Sequence, residues 1–371
     1  TPTTYDYINW CNNTGAAYIE ECKFYIGPHK IDHYTSTFSD IHNELTDHNQ
    51  YEHMGLNKHM AKKGYLKSNS NSLNNLLLNI PLKFWFCRNN GLALPLCALK
   101  FSEIKVEIKL RSLKKLINHS ANAGGAITMT APNNNVVLYA NYVHLDDEEK
   151  KRFTTQPLEY LIEQVQFQEN KVLESNVKFY FSHPVKEIFW VIRNNTRGQS
   201  AEAGGASAGV DATLNTSVPN TSSSFPGNVQ KNDYFNYMCD ATGGTPNPAI
   251  SDMGNLYGND ACEWFKSAAI KFNGGNRTPD MSPYFFRVMQ PLQAKHRVPT
   301  KHIYCYSFAL TPEDYNPSGT ANFSKISNSE IEFKQLNASD ETTNSKRISI
   351  YAINYNILRI SGGMGGIAYS N

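Results

Sequence analysis

The sequence has no long apolar run and no dominant charge. None of its 371 residues fall in a stretch approaching the roughly 18–20 apolar residues needed to span a bilayer, and the first residues do not read as a signal peptide. Lys and Arg number 35 against 33 Asp and Glu, a formal charge of +2. There is no basic excess to bind nucleic acid directly and no acidic tail. The seven cysteines, Cys11, Cys22, Cys87, Cys97, Cys239, Cys262 and Cys305, are odd in number and lack CxxC spacing. This predicts reduced, mostly buried thiols rather than a disulfide framework. Cys239 and Cys262, both in a loop-rich stretch, are the pair to check for a bridge. What is plentiful is Tyr (21), Phe (19) and Asn, residues of pleated surfaces and of turns. The balance predicts a mainly β protein with long loops, at a length that suits two domains.

Residues 1–112 offer about four strands: 18–26, 76–88, 92–101 (broken by Pro95) and 103–110. The last is clearest, with Ile104, Val106, Ile108 and Leu110 alternating with Glu103, Lys105, Glu107 and Lys109. Residues 31–45 read as a short helix or an irregular excursion. The small, polar stretch 118–125 marks a linker, taken as 113–125. Residues 126–371 supply about eight strands, at 136–145, 160–172, 177–181, 186–193, 267–273, 302–310, 324–333 and 347–360. A short acidic-then-basic helix is expected at 146–152. The last strand is long enough to bend or split, and its apolar residues fall on both faces, as between two covered surfaces. Residues 194–233 and 241–260, rich in Gly, Ser, Thr, Asn and Pro, read as long exposed loops.

Chemistry-bearing groups are weak. His29 and His33 have metal-ligand spacing on a helix, yet Pro28 adjoins the first and no HExxH or paired Cys completes a site. Gly363, Gly365 and Ala368 match a dinucleotide pattern, but the sequence leaves no room for the helix that would hold phosphates. Glu159 and Glu163 are a conceivable glycosidase pair without a supporting motif. Asn-x-Ser/Thr triplets at Asn215, Asn220 and Asn276 are the glycan acceptors to consider. No catalytic residue, metal ligand or cofactor site is expected. Adjacent Phe84 and Trp85 should point to opposite faces if they lie on a strand, one meeting the domain core and the other a second block or a neighbouring subunit.

Three turn-rich stretches stand out: 80–101 (IPLKFWFCRNNGLALPLCALKF), 306–324 (YSFALTPEDYNPSGTANFS) and 354–371 (NYNILRISGGMGGIAYSN). Each reads as an aromatic or branched strand running into a turn set by Asn, Pro or Gly. None brings a nucleophile, a base and an orienting group together. In order, spacing and wording they resemble the major capsid proteins of large icosahedral DNA viruses, the phycodnavirus and iridovirus lineage. The residues bearing the resemblance are Phe84, Trp85, Phe86, Arg88, Asn89, Gly91 and Pro95, then Pro312, Pro317, Ser318, Gly319 and Asn322, then Asn354, Tyr355, Asn356, Gly363, Gly365 and Tyr369. The resemblance implies two consecutive eight-stranded antiparallel jelly rolls, residues 1–112 and 126–371. The first is expected to lack its opening strands, since the sequence begins at Thr1 rather than methionine. It further implies a structural protein, not an enzyme, whose homotrimers of pseudo-hexagonal outline tile the outer shell of a virion assembled in the host cytoplasm. Its partners would be neighbouring capsomers and minor capsid and penton proteins, with loops 194–233 and 241–260 outward. The competing readings are a scaffold of related fold that shapes immature particles, and a carbohydrate-binding β-sandwich.

Overall fold

The computed structural model describes residues 8–11, 13–46, 77–119, 136–194, 234–235, 237, 263–336 and 346–369. The first half contributes β1 (Ile8–Trp10), helix α1 (Thr14–Tyr18), β2 (Ile19–Ile26), β3 (His29–Thr35), helix α2 (Ser36–Thr46), β4 (Ile104–Leu110) and β5 (Ile117–His119). These strands form a three-stranded sheet, β3-β2-β4, and a β1-β5 pair. Lysines and Glu107 occupy the outer positions of β4, while Ile104, Val106 and Ile108 turn inward but stay half-buried. The excursion expected at 31–45 divides at Thr35 into strand and helix. Of the linker expected at 113–125, the described part is a 3-10 turn at Leu113–Leu116 followed by β5.

The second half opens with helix α3 (Asp147–Thr155), started by a capping box in which the Asp146 backbone N–H donates to Glu149 Oε2 at 3.4 Å. Strands β6 (Leu158–Val172), β7 (Asn176–Phe179), β8 (Pro184–Asn194), β9 (Phe265–Phe272) and β10 (Gly275–Asn276) follow. A π-helical turn at Phe285–Met289 runs into helix α4 (Gln290–Gln293). The chain then forms β11 (Ile303–Ser307), β12 (Ala321–Asn322), β13 (Ser329–Leu336), β14 (Lys346–Ser361) and β15 (Met364–Ile367). Two antiparallel sheets result. One is β10-β9-β13-β7. The other is β11-β8-β14-β15, with β12 beside β8 and β6 along the opposite edge of β14.

Alternation along the paired strands places the core. Ile188, Trp190, Ile192, Ile348, Ile350 and Ala352 face the smaller sheet, meeting Phe179, Phe265, Ile270, Ile331 and Phe333 in a sandwich core. Their neighbours Phe189, Val191, Tyr351 and Ile353 face the other way. They join a second core with Phe24, Phe38, Ile41, Phe84 and Trp85 of the first half. Strand β14 is thus covered on both faces, and it runs as one strand of 16 residues. Its register against β8 skips one residue: Ile353 pairs with Glu187 and Asn354 with Val185, so Lys186 is a bulge in β8.

Three expected strands are not present. Residues 77–83 lack regular structure, and three 3-10 turns follow at Trp85–Cys87, Asn90–Leu92 and Leu96–Ala98. Phe84, Trp85 and Phe86 do not alternate. All three converge on Phe24, with ring centroids 5.5, 5.5 and 4.8 Å away. Residues 136–145 carry no strand either, and their apolar side chains lie open, with Tyr139 87% exposed. They have strand composition, but no strand among the described residues pairs with them, and a strand exists only in its ladder. Two further strands are shorter than expected: β11 ends at Ser307, and β13 starts at Ser329 after a 3-10 turn at Phe323–Lys325.

Candidate assembly site at the junction of the two halves

The three motifs meet where the halves join, and they meet around a residue outside all of them. Glu163, on β6, receives an ion pair from Arg88 Nη1 of the first motif. Its other oxygen, Oε1, accepts from Lys186 Nζ at 2.6 Å, and the same Nζ donates to the carbonyl of Pro312, in the second motif, at 2.6 Å. The ring of Tyr355, in the third motif, lies 5.8 Å from Nζ. Burial, with Glu163 and Glu187 nearby, holds the Tyr355 hydroxyl protonated well above its ordinary range. The bulge aims Lys186 here: Phe308 and Ala309 donate backbone N–H groups to its carbonyl, so its side chain turns inward. One carboxylate therefore satisfies two cations that the low-dielectric junction would otherwise strand.

The third motif also grips the first directly. Phe101 N–H donates to Gly363 O at 2.8 Å. Gly362 and Gly363, with φ of 60° and 82°, make the two-residue turn that returns β14 into β15. Gly365 backs against Leu99 and Ile26 with no room for a side chain. Asn354 Oδ1 accepts from Gln166 Nε2 at 2.9 Å, and Asn356 Nδ2 donates to Gln164 Oε1 and to Tyr369 O.

The remaining motif residues act locally. Asn89 Oδ1 accepts from Gly91 N–H, Asn322 Oδ1 from Ser324 N–H and Ser318 Oγ from Thr311 N–H. Pro95 precedes a 3-10 turn, and Pro317 is exposed in its loop. Gly319, at φ 147°, passes so close to Phe308 that a Cβ would stand 2.6 Å from its carbonyl oxygen.

A second network ties α2 to the larger sheet. Fully buried Asp40 accepts from Asn13 Nδ2 at 2.6 Å, Lys301 Nζ at 2.6 Å and Tyr237 Oη at 3.1 Å. Nearby, Thr300 Oγ1 donates to Glu44 and Arg297 N–H to Leu45 O.

The other groups weighed in the sequence do not assemble. His29 and His33 lie on strand β3, not on a helix; His29 is exposed, and His33, lowered to about 4 by burial, sits 3.8 Å from Glu21. Glu159 pairs with Arg359 at the surface. It stands four strand residues from Glu163, about 13 Å at 3.3 Å per residue, too far for a glycosidase pair. The Gly363–Ala368 pattern is a β-hairpin. Asn276 is exposed at the β9-β10 turn; Asn215, Asn220, Cys239, Cys262 and nearly all of both long loops lie outside the described residues. Cys22, Cys87, Cys97 and Cys305 are free thiols. No helix among the described residues is long and apolar enough to cross a membrane.

These mainly antiparallel sheets have their structural neighbours among the double jelly-roll proteins of viral capsids. The VP54 protein of PBCV-1, fitted into a reconstruction of the virophage Sputnik, matches with a TM-score of 0.67 at 25% identity, over 100% of this chain and 88% of that one. The Faustovirus major capsid protein matches at 0.65 and 13% identity, covering 96% and 74%, a likeness of fold alone. The model of the large eukaryotic DNA virus major capsid protein matches residues 149–366, and that of the major capsid protein N-terminus residues 1–146. The chain belongs to this major capsid protein family. It is 29% identical to the major capsid protein of Phaeocystis pouchetii virus, over 98% of this chain and 83% of that protein. It is 31% identical to that of Paramecium bursaria Chlorella virus 1, over 79% of this chain and 66% of the relative. These relatives are structural capsid proteins, not enzymes.

Proposed function

We propose that the chain builds the outer capsid shell of a large icosahedral DNA virus as homotrimers of pseudo-hexagonal outline. The observation that carries this reading is the pair of family matches, one for each half, which together run from residue 1 to 366. Physical features support it. A strand covered on both faces and a junction closed by buried ion pairs make the two halves one stiff block, the property a tile needs. Near-neutral charge lets copies pack side by side without strong repulsion. Three such two-block subunits present six similar corners to a flat lattice. In this reading minor capsid and penton proteins meet the lattice at its edges, and assembly takes place in the host cytoplasm. The test is quantitation of the chain in purified mature virions. High copy number with hexagonal capsomers in negative stain supports the reading; presence only in immature particles favours a scaffold, and specific capture on a glycan array by a monomer favours a carbohydrate-binding sandwich.

A further inference from the structure

Glu187, His296 and Cys305 form a buried cluster on the face of the larger sheet that meets the first half. Glu187 is on β8 and Cys305 on β11. Ser307 pairs with Glu187 and Phe189 with Cys305, so the two side chains are diagonal neighbours on one face. His296 arrives from the connection after α4. Lys295, at φ 59°, turns the chain there, and the His296 N–H donates to Pro291 O at 2.8 Å. One imidazole nitrogen, Nε2, then points at Glu187 Oε2, 2.8 Å away, and the other, Nδ1, at Glu313 Oε1, 2.6 Å away. The ligand atoms of Glu187, His296 and Cys305 all lie within 4.8 Å of one another, and all three residues are buried.

We propose that Glu187, His296 and Cys305 hold a divalent metal ion of the zinc class that staples the α4-β11 connection to the sheet. Thiolate, imidazole and carboxylate are the donors zinc takes, at about 2.0–2.3 Å in tetrahedral geometry. Tetrahedral donors around such an ion sit roughly 3.4–3.8 Å apart, so Nε2 and Oε2, 2.8 Å apart, must open by roughly 0.6 Å or more, and the wider separations, none above 4.8 Å, close by at most about 1.4 Å. Glu313 stands where metal-bound histidines keep an orienting carboxylate: it accepts from Nδ1 and directs Nε2 to the ion. A hard oxygen-seeking cation such as magnesium or calcium would not choose the sulfur and nitrogen donors.

The fourth position falls to the second oxygen of Glu187 or to water, and the burial makes this a structural ion.

The test uses the full chain, purified without a metal-affinity tag and dialysed free of chelator. Elemental analysis should find close to one zinc per chain. Cobalt(II) added to metal-stripped protein should give thiolate-to-cobalt charge-transfer absorption in the near ultraviolet, present in Cys97→Ala and absent in Cys305→Ser. Glu313→Gln, which keeps all three donors, should weaken cobalt affinity about 10- to 100-fold, and it decides the matter if Cys305→Ser does not fold. Folded wild-type protein with neither zinc nor a cobalt band would overturn the proposal and leave an ion pair beside a thiol. So would a band that survives in folded Cys305→Ser.

Discussion

Lys186, only 1% exposed, sets its Nζ 2.6 Å from Glu163 Oε1 at the seam between the two halves. The pair exists because a one-residue bulge in β8 turns Lys186 out of the alternation of its strand and toward the three motifs.

Lys186→Met should therefore cost about 3–5 kcal/mol, the range for removing one partner of a buried ion pair. It leaves the Pro312 carbonyl unsatisfied and Glu163 with Arg88 alone. Glu163→Leu should cost a similar amount, and the double variant clearly less than the sum. Urea denaturation of the four proteins measures the coupling; strict additivity would mean that the two side chains do not interact.

Gly319→Ala should destabilise by more than Gly362→Ala. Both glycines have positive φ, but an added Cβ at Gly362 meets nothing within 4 Å, leaving a conformational cost of roughly 1–2 kcal/mol. At Gly319 the Cβ meets the backbone carbonyl of Phe308, which cannot swing aside, and the second-motif loop must move. The comparison is read from thermal midpoints.

Ile350→Ala and Ile353→Ala should each cost about 2–5 kcal/mol, although they point to opposite faces of β14. Ile350 fills the sandwich core and Ile353 the core shared with the first half. A near-neutral Ile353→Ala in chemical denaturation would mean that the halves do not pack across this strand.

Asp32 gives a signed pH effect. Burial pushes its carboxyl up to about 7, outweighing the N–H groups of Val165 and His33 that donate to it. The folded protein keeps this proton where the unfolded chain has released it, so the contribution of Asp32 to stability falls as pH rises from about 4 to about 7. His33 and His302, lowered by burial to about 4 and about 3, slope the other way and weaken the fold as pH falls below 6.5. The Asp32 effect is isolated by difference: Asp32→Asn, which keeps an acceptor for both N–H groups, should gain on wild type in thermal midpoint between pH 4 and 7.5. A constant difference across that range would contradict it.

The second half was legible because its strands alternate and are rich in Ile, Val, Phe and Tyr, and because β14 carries apolar residues on both parities, the mark of two covered faces. The first motif misled for a physical reason. Phe84, Trp85 and Phe86 report a strong demand for burial, and the 3-10 turn at Trp85–Cys87 meets it around Phe24, with Phe84 and Trp85 buried and Phe86 half-buried. Residues 136–145 show the converse, strand composition without a ladder among the described residues. Glu163 stood out only as a conceivable glycosidase partner of Glu159; its place at the junction was not legible, since it is one polar residue in an alternating strand. The available signal was Lys186 and Glu187, two charges inside the apolar run of β8, each needing a buried partner. The Lys186 partner is Glu163. That of Glu187 is His296, from a connection more than 100 residues away in sequence.

The most direct test of the capsid account is the solution mass of the protein by light scattering, with negative-stain images of the same fraction. The account predicts three times the chain mass and a hexagonal face. A stable, well-folded monomer at high concentration would contradict it.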